Sequence, residues 1–198
     1  LPATLRTYLA SLPKNVPLCR LIAAWAINGF ANGLPAALFL LYLEYVLGAG
    51  EAMRPRFILV YFLAAVLAIP AWLALSHRLG KHRAWCTAMA LAIAGFALVP
   101  MIPAGAFSAF FAVCILTGAA LGADLALPPA IQADVVDYDA WKFGEARAGF
   151  LFALWSMATK FAQALAVGFG LSLVAALGFD PAQVTAPGQV ALTVIYAW

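Results

Sequence analysis

Charge is what this sequence has least of. Asp, Glu, Lys and Arg make up 10% of its 198 residues, against about 25% in soluble domains. That shortage argues against an ordinary water-soluble core. The few basic residues are dispersed, with no basic stripe interleaved with aromatics, so nucleic acid is not an expected partner. Cysteine is almost as scarce. Cys19, Cys86 and Cys114 have no paired spacing, which points to neither a disulfide framework nor a zinc site. They read as small buried hydrophobes. The opening Leu1-Pro-Ala-Thr-Leu-Arg6 lacks the charged start, apolar core and cleavage site of a secretory signal. There is no low-complexity tract and no repeat legible by eye. A three-plus-three inverted repeat of the transporter kind would lie below that level. The chain lacks an initiator Met and ends inside an apolar run, so it is expected to be a piece of a longer protein.

What fills the space is hydrocarbon. Apolar residues make up 66% of the chain and its mean hydropathy is +0.98. About 20 mostly apolar residues span a bilayer. The complete apolar segments run 18–47, 57–75, 84–102, 106–136 and 149–177, and a truncated one runs 190–198. In the fourth, the apolar part reaches Leu127, and two readings stand open beyond it. Either the helix continues past Pro128-Pro129 to about Val136, or the prolines end it. All six segments are helix candidates, because lipid forces a backbone to satisfy its own hydrogen bonds. Arg6, Lys14 and Arg20 precede the first segment. Arg78, Lys81 and Arg83 lie between the second and third, and Lys142 and Arg147 between the fourth and fifth. The opposite side carries Arg54 and Arg56. The positive-inside rule then places the N-terminus and those basic loops in the cytoplasm.

Against this background a few polar residues stand out. Lys160 is the only charged residue between Ala148 and Phe179. A cation at mid-helix costs about 2.5–3.5 kcal/mol on insertion scales. It is retained where it faces a partner, a cavity or water. With about 100° per residue, Ser156, Thr159, Lys160 and Gln163 share an arc roughly 100° wide, as expected of a stripe facing the bundle interior. A structural ion pair between helices is the alternative. Asp124 is the candidate partner. It lies about 18 Å from the cytoplasmic end of its helix if that end is Val136, and Lys160 lies about 16 Å from its own. In the first segment Asn28 and Asn32 sit one turn apart near Pro35. They suit either a ligand hydroxyl at a broken helix or interhelical hydrogen bonding. Glu44 reads as interfacial.

The stretch Ala133-Asp-Val-Val-Asp-Tyr-Asp139-Ala-Trp-Lys-Phe-Gly144-Glu-Ala-Arg147-Ala-Gly149 opens on three closely spaced carboxylates, Asp134, Asp137 and Asp139. They could bind Mg²⁺ in a membrane transferase, although metal-diphosphate chemistry normally draws carboxylates from more than one segment. A solvated gate is the other reading. Here a family resemblance enters. Asp134-Val-Val-Asp137-Tyr138 with Gly144, Arg147 and Gly149 resembles the tenth-to-eleventh-helix loop of the glycoside–pentoside–hexuronide:cation symporters. These are the melibiose-permease-like branch of the major facilitator superfamily. Pro13-Lys-Asn15 is similar to the lead into that family's seventh helix. His77-Arg78-Leu-Gly80-Lys81-His-Arg83 is similar to the superfamily's basic loop, with His77 where an Asp is usual.

The resemblance implies an all-α fold, in which six membrane helices form the C-terminal half of a twelve-helix carrier. It implies cation-coupled symport of a sugar or glycoside, with Na⁺ or H⁺ as the coupling ion and no other cofactor. Lys160 carries over as a residue near the sugar and cation sites. On this reading Lys160, Gln163, Asn32, Asn28, Ser156 and Asp124 form the substrate side. Asp134, Asp137, Arg147 and Arg78 form cytoplasmic gating contacts. The expected partners are a small-molecule substrate, the coupling cation, the bilayer and a missing N-terminal half. The expected location is a cell membrane, a bacterial inner membrane in particular. Related branches resemble lysolipid carriers, which keeps an amphiphilic substrate open beside the glycoside.

Overall fold

A computed structural model describes residues 3–197 of the chain; Leu1, Pro2 and the expected final helical residue Trp198 lie outside them. Helix α1 (Ala3–Ser11) and a 3₁₀ turn (Leu12–Lys14) lead into α2 (Val16–Tyr45). Then follow α3 (Arg54–Leu79), α4 (Lys81–Ala97), a 3₁₀ turn (Val99–Met101), α5 (Phe107–Phe143), α6 (Ala148–Ala176) and α7 (Ala186–Ala197). The helices α2 to α6, taking α4 with its following turn, are long and apolar enough to cross a membrane, and α7 is a shorter apolar helix. No strand occurs among the described residues.

Local chemistry sets the boundaries. The Asn15 side chain accepts a hydrogen bond from the Leu18 backbone N–H at 3.1 Å, and Pro17 falls in the first turn of α2. A capping side chain followed by proline is a strong helix start. The basic loop shrinks to a single residue. Only Gly80, at φ +84°, separates α3 from α4, a conformation that L-residues with a Cβ avoid. The Pro128-Pro129 pair does not stop α5. It continues to Phe143 and ends at Gly144, whose φ of +70° is left-handed. Much of the stretch expected as a gating loop is therefore helix.

The packing has a hidden order. Helix α3 packs along α5, and α2 along α6; α4 lies on α5, and α7 on α2. Exchanging α2–α4 for α5–α7 maps this pattern onto itself, and successive spans run in alternate directions. That is the pairing of an inverted three-plus-three repeat. Small residues allow both close seams. Gly29 and Gly33 face Ala162 and Ala166, while Gly118 and Gly122 meet the backbones of Tyr61 and Ala65. The core falls into two layers. One gathers Leu38, Tyr42, Phe57, Phe110 and Tyr196 toward the C-terminal end of α2. The other gathers Leu18, Trp72, Trp85, Leu127 and Leu151 toward the N-terminal end of α2. Between the layers lie the polar residues of the candidate site.

A Cβ at Gly122 would run into the Ala65 carbonyl oxygen, whereas one at Gly168 meets nothing within 4 Å. Gly122→Ala should therefore destabilise the full-length protein by about 1–3 kcal/mol, the usual overpacking cost, and Gly168→Ala should not. Thermal unfolding in detergent reads the difference.

Candidate substrate and cation site

Asp124 is the centre of the polar layer, and its neighbours differ from the expected one. Its Oδ2 accepts from Asn28 Nδ2 at 3.1 Å and from Asn32 Nδ2 at 2.8 Å. Its Oδ1 accepts from Trp85 Nε1 at 2.6 Å. One carboxylate thus gathers donors from α2 and α4 onto α5. Depth follows from Lys81, which hydrogen-bonds the Ala130 carbonyl and pairs with Asp134. These contacts set the N-terminal edge of α4 against residues 130–134 of α5. Asp124 then lies about 9–15 Å further in, at 1.5 Å per residue.

The expected pairing of Asp124 with Lys160 does not form. Tryptophans stand between the two. Trp25 is 6.3 Å from Trp85 in ring centroids and stacks on Trp155 at 4.5 Å. Its Nε1 donates to Thr159 Oγ1 at 2.7 Å, one residue from Lys160. The depth argument placed the two charges near one level, but α5 and α6 make few contacts and α2 lies between them. Thr159 leaves the expected stripe to serve Trp25. Lys160, Gln163 and Ser156 are exposed in this half and make no hydrogen bond or ion pair with any described residue. With 100° per residue Lys160 lies roughly opposite the Ala162–Ala166 seam that packs on α2, while Ser156 and Gln163 lie to its side.

A cavity of about 330 Å³ opens beside the carboxylate, within the range of small-molecule sites. Asn28, Asn32 and Asp124 form its polar end, and Phe39, Ile58, Phe62, Met89 and Phe96 supply much of its apolar wall. A groove of about 650 Å³ between α2, α4 and α7 shares Asn28, Asn32, Pro35 and Phe96 with it. The rim of that groove carries Ile27 and Ile93, each 70% exposed.

The junction of α1, the start of α2 and the α5–α6 connection holds a second cluster. Arg147 grips Asp139 through two bonds, Nε to Oδ2 at 2.6 Å and Nη2 to Oδ1 at 2.9 Å. Asn15 Nδ2 donates to the same Oδ1 at 2.7 Å, and Arg147 Nη1 donates to Ser11 Oγ. The guanidinium also lies over the Phe143 ring at 4.5 Å and the Tyr8 ring at 5.3 Å. The Asp139 hydrogen bonds hold the Arg147 pKa above its ordinary value. Both charged side chains are buried, at 3% and 1% exposure, so this is not the solvated gate expected for Arg147. Of the other expected gating residues, Asp134 pairs with Lys81 at 2.6 Å. Asp137 and Arg78 are exposed and make no ion pair among the described residues. The three carboxylates of this stretch do not converge, and among the described residues no group of three or more metal-ligating side chains forms. The Mg²⁺ transferase reading loses its geometric support there.

Trp85, Asn15 and Asp139 were missed as site residues. Asn15 carried a signal, since it immediately precedes a helix with proline in its first turn. Asp139 falls on one face with Ile131 and Val135, at four-residue spacing. Trp85 carried none, because a tryptophan beside a basic loop reads as an interface anchor.

An all-helical half-bundle with a polar centre between apolar layers is the architecture of a multi-pass membrane carrier. Residues 2–198 match the family described as MFS/sugar transport protein, and the chain belongs to that family of the major facilitator superfamily. It is 26% identical over 182 residues to the sodium-dependent lysophosphatidylcholine symporter 1 of Xenopus tropicalis, covering 91% of this chain and 34% of that protein. It is 24% identical over 177 residues to the uncharacterized symporter YjmB of Bacillus subtilis strain 168, covering 86% of this chain and 38% of that protein. The chain thus spans about a third of the length of these relatives.

Breaking a buried ion pair from one side typically costs about 3–5 kcal/mol. Arg147→Ala, which strands Asp139, should fall in that range. Lys81→Ala, which breaks an exposed pair, should cost about 1 kcal/mol or less. Denaturation of the full-length variants compares the two.

Proposed function

We propose that this chain is the C-terminal half of a cation-coupled symporter that works by alternating access in a cell membrane. Two six-helix halves would rock about a midplane site, with the N-terminus of this half in the cytoplasm. The observation that carries the reading is the membrane-depth carboxylate of Asp124, held by Asn28, Asn32 and Trp85 at the polar end of a cavity. Intramembrane ionisable residues mark substrate and ion pathways.

The wall of that cavity favours an amphiphilic substrate over a glycoside. A sugar needs many free hydrogen-bonding groups, yet here each amide nitrogen of Asn28 and Asn32 is already turned to Asp124. The rest of the wall is largely aliphatic and aromatic. The groove between α2, α4 and α7, with its exposed Ile27 and Ile93, would give an alkyl chain a path from the bilayer. The relative named as a lysophosphatidylcholine symporter is in keeping with this reading. The glycoside reading rests on the family's description as sugar transport and on the two asparagines. In either case Lys160, with Gln163 and Ser156, would meet the substrate from an exposed face of α6. Arg78 and Asp137 would make gating contacts with the other half, while the buried Asp139–Arg147 pair braces α1, α2 and α5.

Uptake by vesicles carrying the full-length protein under a Na⁺ or H⁺ gradient tests this. Lysophospholipids should accumulate and a panel of glycosides should not. The reverse result would return the substrate to the sugars, and no gradient-driven uptake of either would remove the symport reading. Lys160→Ala should weaken apparent substrate affinity at least tenfold, as loss of a charged hydrogen bond worth about 1.5–3 kcal/mol implies.

A further inference from the structure

Asp124 is well supplied with hydrogen bonds and poorly supplied with charge. Three donors reach it, but all three are neutral. The cavity wall presents no Lys, Arg, His or Glu from α2, α3, α4, α5 or α7. Its other ionisable side chains are Tyr61 from α3, Cys114 from α5 and Tyr196 from α7, and none of these brings a positive charge. Lys160 does not line the cavity and makes no ion pair with Asp124. Neutral donors reduce the cost of a carboxylate in a low-dielectric interior but leave its net charge unbalanced.

The surroundings suit an incoming cation. Both Asn28 and Asn32 present their amide nitrogens to the carboxylate. Turning either amide over about its last bond presents Oδ1 in the same place. Two carboxylate oxygens and two amide oxygens would then converge from α5 and α2, hard ligands of the kind that alkali cations prefer. A proton arriving instead would turn the carboxyl into a donor, which the same turned amides could accept. The cavity gives access and room for water to complete a coordination shell. The position also has leverage. α2 and α5 are the equivalent helices of the two three-helix repeats and make few other contacts with each other.

We propose that Asp124, with Asn28 and Asn32, forms a binding site for a monovalent cation, a proton or Na⁺, and that occupancy resets the link between α2 and α5. This deepens the symport reading and rests on it for its purpose, but the site can be tested without any substrate. Trp85 donates directly to Asp124, so its emission should report the occupant. The purified full-length protein is titrated with NaCl at fixed pH and fixed ionic strength, N-methylglucamine chloride making up the balance. In a separate arm it is titrated with pH in the absence of Na⁺.

A saturable fluorescence change is expected in one arm, which identifies the ion. It should shrink in Trp85→Phe and disappear in Asp124→Asn. Asn32→Ala should move its midpoint at least tenfold, toward higher Na⁺ concentration if the salt arm responds, and toward higher pH if the pH arm does, because losing a donor to the ionised carboxylate favours its protonation. A change that survives in Asp124→Asn with an unmoved midpoint overturns the site, as does a wild-type protein that responds in neither arm. Should Asp124→Asn not yield folded protein, Asn32→Ala decides, and an unmoved midpoint there overturns the site equally. Vesicle uptake that still depends on the gradient after such a result would leave the symport reading standing without this site. An intact titration with no uptake of any substrate would do the opposite.

Discussion

The organising constraint is a carboxyl group kept inside a hydrocarbon-facing bundle. Asp124 holds its place because α2 contributes two amides and α4 an indole, all aimed at one carboxylate. Those donors must arrive at one depth, which fixes the relative height of α2, α4 and α5. The apolar layers on either side then pack around a level already set by polar contacts. A lipid environment supplies little hydrophobic drive between helices. Polar contacts and close seams between small residues therefore settle the register, and this chain uses both.

The seams and the polar centre divide the labour. Where α3 meets α5, glycines let backbones touch, and such a contact has almost no freedom to slide. Where α2 meets α6, Gly29 and Gly33 admit alanine side chains. Between these two rigid pairs runs the gap from α2 to α5, filled by the cavity and bridged by the asparagines. The brace around Asp139 works differently. Asn15 caps α2 and donates to Asp139 with the same side chain, and Arg147 ties that carboxylate to α1 through Ser11. The lead-in segment is thus fastened to the α5–α6 connection before α2 enters the membrane.

Much of this was legible in the residues. Hydropathy alone isolates Asn28, Asn32 and Asp124 as anomalies, because polar groups at membrane depth need partners. Their mutual contact was not legible. Counting residues from a helix end gives height but not azimuth, so it matches Asp124 to Lys160, whose side chain is exposed and lies outside the cavity. Charge patterning misleads in the same way near the end of α5. Asp134, Asp137 and Asp139 look alike in a polar stretch, yet helix α5 runs on to Gly144 and its turn sorts them. Asp139 comes onto the buried face with Val135, and the other two are exposed. The repeat escaped reading by eye because its two halves share pairing geometry and paired glycines rather than residue identities.

The division into rigid pairs has a mechanical consequence. A carrier that exposes one site to each side in turn needs parts that stay intact and a junction that yields. Backbone-on-backbone seams such as Gly118 and Gly122 against α3 cannot open without losing the close van der Waals packing that holds helices together in lipid. The α2–α5 junction is different. Its bond-making groups are side-chain amides that can turn, and its void already holds space. Small shifts there break hydrogen bonds of about 1 kcal/mol each rather than a packed interface. The cheapest motion within this bundle therefore passes through Asn28, Asn32 and Asp124, which also line the cavity. Chemistry at the cavity and movement of the helices are in this way tied to a single set of contacts.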